Sequence, residues 1–143
     1  MIMKHILCAV LFLCVFGFSG LTAFAQEHPA EIAGYQAAFA SANAKINIVL
    51  NAIKDADSGD QAGAAIVLFE NIIKRLETKT AELKRKYAKF DTKNTPELAD
   101  LEDQFTTLTN EFATEIGTAA GKFRDDEAFK YSLREYKEIE KEK

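Results

Sequence analysis

The sequence predicts an all-α protein, an up-down bundle of four helices with a short fourth helix. Three observations predict it. Apolar residues recur at alternating steps of three and four over most of the chain, as on helices that each bury one stripe. The only prolines, Pro29 and Pro96, both stand where a helix would start. Between turn clusters Ala, Glu, Lys and Leu dominate, a composition of strong helix formers.

The first 25 residues read as a leader. Met1-Ile2-Met3-Lys4-His5 is a short basic start, and an uncharged apolar stretch runs from Ile6 to about Gly20. Leu21-Thr22-Ala23-Phe24-Ala25 follows, with small residues where a signal peptidase cuts. The expected mature chain begins at Gln26, and residues 26–143 form one helical-bundle domain. The competing reading is an uncleaved anchor, because roughly 20 residues without charge can just span a bilayer. A lipid anchor is rejected, because Cys14 follows Leu13 and lies inside the apolar stretch. Cys8 and Cys14 are the only cysteines, so the mature chain would have none. Packing alone must then stabilise it, which about 118 residues can do.

Helix 1 is expected from Pro29, with Ile32, Tyr35, Phe39, Ala42, Ile46, Val49 and Ile53 as its stripe. It should stop at the turn cluster Asp55-Ala56-Asp57-Ser58-Gly59. Helix 2 opens with Ser58 as cap and Gln61 three residues on, a capping box. Ala62, Ile66, Phe69, Ile73, Leu76, Thr80, Leu83, Tyr87 and Phe90 follow at the four-three spacing of left-handed bundle and coiled-coil packing. Its end is expected near Phe90. Helix 3 has Thr95 to cap, Pro96 at the first position and Glu97 on the positive end of the dipole. Leu98, Leu101, Phe105, Leu108, Phe112, Ile116, Ala120 and Phe123 form its stripe.

A break is expected between Gly121 and Asp125, where Asp125-Asp126-Glu127 suits a new N-terminus. Phe129, Leu133, Tyr136 and Ile139 or Glu140 continue as helix 4. The alternative is a three-helix bundle with one last helix of roughly 70 Å, overhanging a second helix of roughly 48 Å. Gly117 and Gly121 have the G-x-x-x-G spacing, read here as close packing or as the break itself.

Charge narrows the function classes. Losing Lys4 with the leader leaves 17 basic against 22 acidic residues, a net charge of −5. Neither nucleic acid nor an anionic membrane surface is an expected partner. Residues 74–93 carry eight basic and three acidic residues; residues 94–127 carry nine acidic and two basic. Folded antiparallel, these stretches would lie side by side, so Lys84-Arg85-Lys86 with Lys89 reads as a hairpin-pairing or solvated face. The apolar face widens at Ile48, Leu50, Leu68 and Ile72. The fourth helix is expected to cover this widening. The alternative leaves Ile48, Leu68 and Ile72 partly exposed as a docking patch.

The inventory for chemistry is thin. The mature chain would have no thiol and one histidine, His28, and it carries no HExxH, phosphate loop or C-x-x-C-H run. No catalytic, cofactor-binding or metal residue is assigned and no cofactor is expected. Gln26-Glu27-His28 at a free N-terminus would be a square-planar nitrogen set suited to Cu(II) or Ni(II); an incidental histidine is the plainer account. Asn43, Asn47 and Asn51 form a polar stripe, read as a solvated seam or a brace. Tyr35, Tyr87 and Phe90 are expected to fill the end of the bundle away from helix 4, with a small pocket as the alternative.

The expected function is that of a non-enzymatic binding or structural module outside the cytoplasm, periplasmic or secreted, acting on another protein or on itself. An extracytoplasmic carrier or sensor of a small apolar ligand or metal is the alternative.

Overall fold

A computed structural model of the chain describes residues 29–141. The leader and Gln26-Glu27-His28 lie outside the described residues. Four helices follow in order: α1 (Pro29–Lys54), α2 (Gly59–Lys86), α3 (Pro96–Lys122) and α4 (Glu127–Lys141). A 3-10 turn, Thr92–Asn94, precedes α3. The described residues form an all-α up-down bundle. No described helix is long and apolar enough to cross a membrane.

Local chemistry sets the helix ends. Ser58 Oγ accepts from Gln61 N at 3.3 Å, and Gln61 Oε1 accepts from Asp57 N at 2.9 Å. The capping box therefore closes on the residue before the cap, not on the cap itself. Asp126 Oδ1 accepts from Phe129 N at 3.0 Å. This satisfies a free donor at the start of α4 and makes residues 123–126 a true break, as the acidic cluster predicts. Two ends differ from expectation. The α2 helix stops at Lys86, and Phe90 then turns back so that its ring stacks on Tyr35, centroids 5.6 Å apart. Burial of that ring outweighs another turn of helix. Thr95 does not cap α3 through its side chain; its Oγ1 donates to Asp91 O at 2.8 Å.

The helix neighbours also differ from a simple hairpin series. The α1 helix packs on both α2 and α3, while α2 and α3 approach each other sparingly. This suits α1, whose 26 residues carry only Glu31, Lys45 and Lys54 as charges. The basic stretch of α2 and the acidic stretch of α3 are therefore not laid side by side as charge alone suggests; α1 separates them. Its own link to the acidic helix is an ion pair, Lys54 to Glu111 at 3.8 Å.

The core is continuous from the middle of the bundle to the α4 end. Phe69 of α2 and Phe112 of α3 stack at 4.1 Å with ring planes 13° apart. Ile46, Leu50, Ile66, Phe112 and Phe129 are each 2 % exposed or less. Burying each such side chain is worth about 1.5–3 kcal/mol. At the other end Tyr35, Leu83 and Leu98 form a smaller cluster with Tyr87 and Phe90 against it. Lys122 closes the α4 end, donating from Nζ to Ala56 O at 2.6 Å.

The α4 helix packs on α2, not on the widened apolar face. A Cβ on Gly59 would collide with the Asp126 carboxylate, and one on Gly63 would stand 2.6 Å from Ser132 Oγ. Gly59 and Gly63 are thus the close-packing pair. Gly117 and Gly121 are not: a Cβ on either would meet nothing within 4 Å, and α3 runs through both. The expected close packing at that pair is corrected, because both glycines point to solvent. The two pairs should respond oppositely to a larger side chain. Gly63→Leu is expected to cost about 1–3 kcal/mol by overpacking. Gly117→Ala and Gly121→Ala are each expected to add roughly 0.5–1 kcal/mol through helix propensity. Urea melts of the three variants check this.

Candidate functional site: an exposed apolar groove between two helices

With α4 drawn to the glycine flank of α2, the widened apolar face stays bare. Ile48 is 67 % exposed and Leu68 54 %. The expectation that the fourth helix covers Ile48 and Leu68 is therefore corrected; Leu50, by contrast, is buried in the core. Ile72 is half-buried against that core. Ile48, Leu68 and Ile72 do come together, as the alternative reading has it. They line a shallow groove between α1 and α2 with Val49, Asn71, Lys45 and Arg75.

The groove is about 250 Å³ and open to solvent. Beside it, on α2 alone, is a polar trough lined by Asn71, Lys74, Arg75, Thr78, Lys79 and Glu82. The groove is apolar at the Ile48–Leu68 end and cationic at the other. Lys79 pairs with Glu82 at 3.3 Å. The ion pairs among the described residues engage none of Lys45, Lys74 and Arg75. Two cations, Lys45 and Arg75, stand beside the uncovered apolar floor.

No family model, characterised protein or solved structure matches this chain. The groove must therefore be read from its own chemistry.

The other singled-out residues fall into place as framework. Asn43 is buried, and its Nδ2 donates to Leu101 O at 2.9 Å, bracing α1 on α3. Asn47 and Asn51 are exposed, so the polar stripe divides into one brace and a solvated seam. Tyr35, Tyr87 and Phe90 pack together around Leu83 and Leu98, which is core filling; burial pushes the Tyr35 hydroxyl above its ordinary pKa. Lys84, Arg85, Lys86 and Lys89 are exposed. Among the described residues no group of three or more His, Cys, Asp or Glu could hold a metal ion. Glu102, half-buried on α3, has its pKa raised, first by burial and then by the neighbouring Asp103 carboxylate.

Sequence reasoning found the groove residues but not what leaves them bare. The signal was present as Gly59-x-x-x-Gly63, the same small-residue spacing that drew attention to Gly117 and Gly121.

Two measurements follow from this geometry. Ile48→Lys and Leu68→Lys should each change stability by less than about 0.5 kcal/mol, whereas Ile46→Lys, at a fully buried position, should cost more than about 4 kcal/mol. Thermal melts separate surface from core on this basis. Glu102→Gln should stabilise the fold at pH 7. A raised carboxyl pKa means that folding favours the protonated form. The wild-type contribution is then complete below pH 4.5 and lost as pH rises through the folded pKa. The gain from Gln should accordingly vanish below about pH 4.5 in melts across a pH series.

Proposed function

We propose that this chain is an exported, non-enzymatic helical-bundle module that binds protein through the α1–α2 groove. The observation that carries the reading is the pair Ile48 and Leu68, both large, apolar and more than half exposed, side by side in one groove. Apolar area of this kind, rimmed by polar groups, is the usual mark of an interaction surface. The leader motif supports export. The thin inventory of nucleophiles and bases supports a binding role over catalysis.

The groove suits a helix more than a small molecule. It is shallow, it follows the line between two antiparallel helices, and its apolar and cationic ends are two helical turns apart. An amphipathic helix laid into a hydrophobic groove reads such a surface through residues on one face. Cations at one end add specificity and steer the encounter more than they add affinity.

The test is site-specific photo-crosslinking in the cell envelope of the native host, with a photoreactive residue in place of Leu68. A control carries the same residue in place of Thr107, which is exposed on α3. A discrete adduct is expected from position 68 and none from position 107. Equal yields from both, or no adduct from position 68, would contradict the reading.

A further inference from the structure

The backbone of α4 comes close to α2 and hardly to α1 or α3. Gly59 faces the Asp126 carboxylate, and Gly63, one turn on, faces Ser132 Oγ and the Ala128 carbonyl. Position rises together on the two helices, so α4 runs parallel to α2 and both start at the same end of the bundle. Residues 123–126 are the link that brings α4 back to this seat. Asp126 Oδ1 on Phe129 N at 3.0 Å and the rings of Phe123 and Phe129, centroids 5.9 Å apart, hold the link bent. Lys122 to Phe129 contains neither proline nor glycine, so its residue types permit a continuous helix from α3 into α4. Such a helix would pair the free carbonyls that end α3 with the free N–H groups that start α4.

A straight link sends α4 out of the end of its own bundle. A second copy, turned about a twofold axis at that end, presents an α2 that runs in the same direction. Each α4 then reaches the glycine flank of the other copy in the parallel register it has at home. Phe129, 1 % exposed, is buried again, and Glu127 of one copy starts beside the end of α3 of the other. The two links therefore pass each other antiparallel. Their sequence suits this, because Lys122-Phe123-Arg124 is basic and Asp125-Asp126-Glu127 is acidic. A segment that changes sign at its midpoint is complementary to its own antiparallel copy. Lys122 and Glu127 already have partners in Ala56 O and Lys130, so the match rests on Arg124 opposite Asp125 of the second copy, made twice. Both are exposed. Their present pairing at 3.3 Å joins adjacent residues, which a helix turns away from each other.

We propose that two copies of this chain exchange α4. In the resulting dimer α3 and α4 are one helix of roughly 70 Å, and residues 122–127 cross at the twofold axis. Exchange of an identical element makes a dimer without a new seat having to be built. It is slow, because release of α4 first uncovers Phe129 and the core around it. The proposal rests on the α2–α4 seat and not on the groove reading. Leu68 lies roughly 140–180° around α2 from Gly63 and Gly59 at 100° per residue, so the groove and its crosslinking test are the same in both forms.

Three variants of the full chain test this. Glu127→Pro puts proline at the first position of α4, which the bent link accepts and a continuous helix does not. Asp126→Ala removes a cap that only the bent link needs. The third carries Gly63→Cys and Ser132→Cys, with Cys8→Ser and Cys14→Ser. A Cβ on Gly63 would stand 3.1 Å from Ser132 Cβ, so oxidation ties a chain to itself in the monomer and to the other chain in the exchanged dimer. Wild-type protein refolded at about 1 mM is expected to give separate monomer and dimer peaks in size exclusion with light scattering. Glu127→Pro should give monomer alone, with helical content by circular dichroism unchanged. Asp126→Ala should raise the dimerisation constant roughly thirty-fold, about fivefold for each link. The oxidised cysteine variant from the dimer peak should run as a covalent dimer on a non-reducing denaturing gel. The proposal is overturned if wild type and Asp126→Ala are both monomeric, if folded Glu127→Pro dimerises as the wild type does, or if the oxidised dimer runs as single chains. Should Glu127→Pro not fold, the Asp126→Ala shift and the gel decide.

Discussion

The close approach of α4 to α2 at Gly59 and Gly63 decides how the rest of the molecule presents itself. Helix α2 has apolar residues on more than one side, and a fourth helix could in principle cover either flank. Hydrogen in place of a side chain at two positions one turn apart lets the α4 backbone come close on one flank only. Ser132 and the Asp126 carboxylate occupy the space that Cβ atoms would need. Close approach brings more atoms into dispersion contact, each worth little and many together worth much. The flank carrying Leu68 receives no such helix. The bare groove is therefore a consequence of where the glycines are, and not of a shortage of apolar residues in the core.

The role of α1 follows from its lack of charge. A helix with three charges in 26 residues loses little solvation by packing on two neighbours at once. It stands between α2 and α3, braced by Asn43 on the Leu101 carbonyl and by Lys54 with Glu111. Its outward side carries Ile48 beside Leu68, with Lys45 one turn before it. The same helix that organises the core thus supplies half of the groove floor. The opposite charges of α2 and α3 keep their value at the helix ends, where the basic last turn of α2 and Glu97 of α3 each complement a dipole.

Much of the fold was legible because it depends on local rules. The stripes from Tyr35 to Ile53 and from Ala62 to Leu83 give the helices and their buried faces. Ser58 with Gln61, and Asp126 with its acidic neighbours, give two of the boundaries. Three features were not legible. The end of α2 depended on Phe90 finding Tyr35, which is a contact across 55 residues. The neighbour relations depended on α1 outcompeting α3 for the surface of α2, which no stripe records. The choice between two G-x-x-x-G pairs depended on what faced them, since the spacing is the same in both. The candidate site was half legible: Ile48, Leu68 and Ile72 could be picked out as surplus, but whether α4 covered them could not.

By itself, then, the order of residues determined how many helices form, where most of them begin, and which face of each turns inward, because periodicity and capping act within a few residues. Tertiary structure alone decided which helices touch, which glycines are crowded, and which apolar residues remain in water. Those outcomes depend on competition between distant surfaces for the same space, and only the folded chain resolves it.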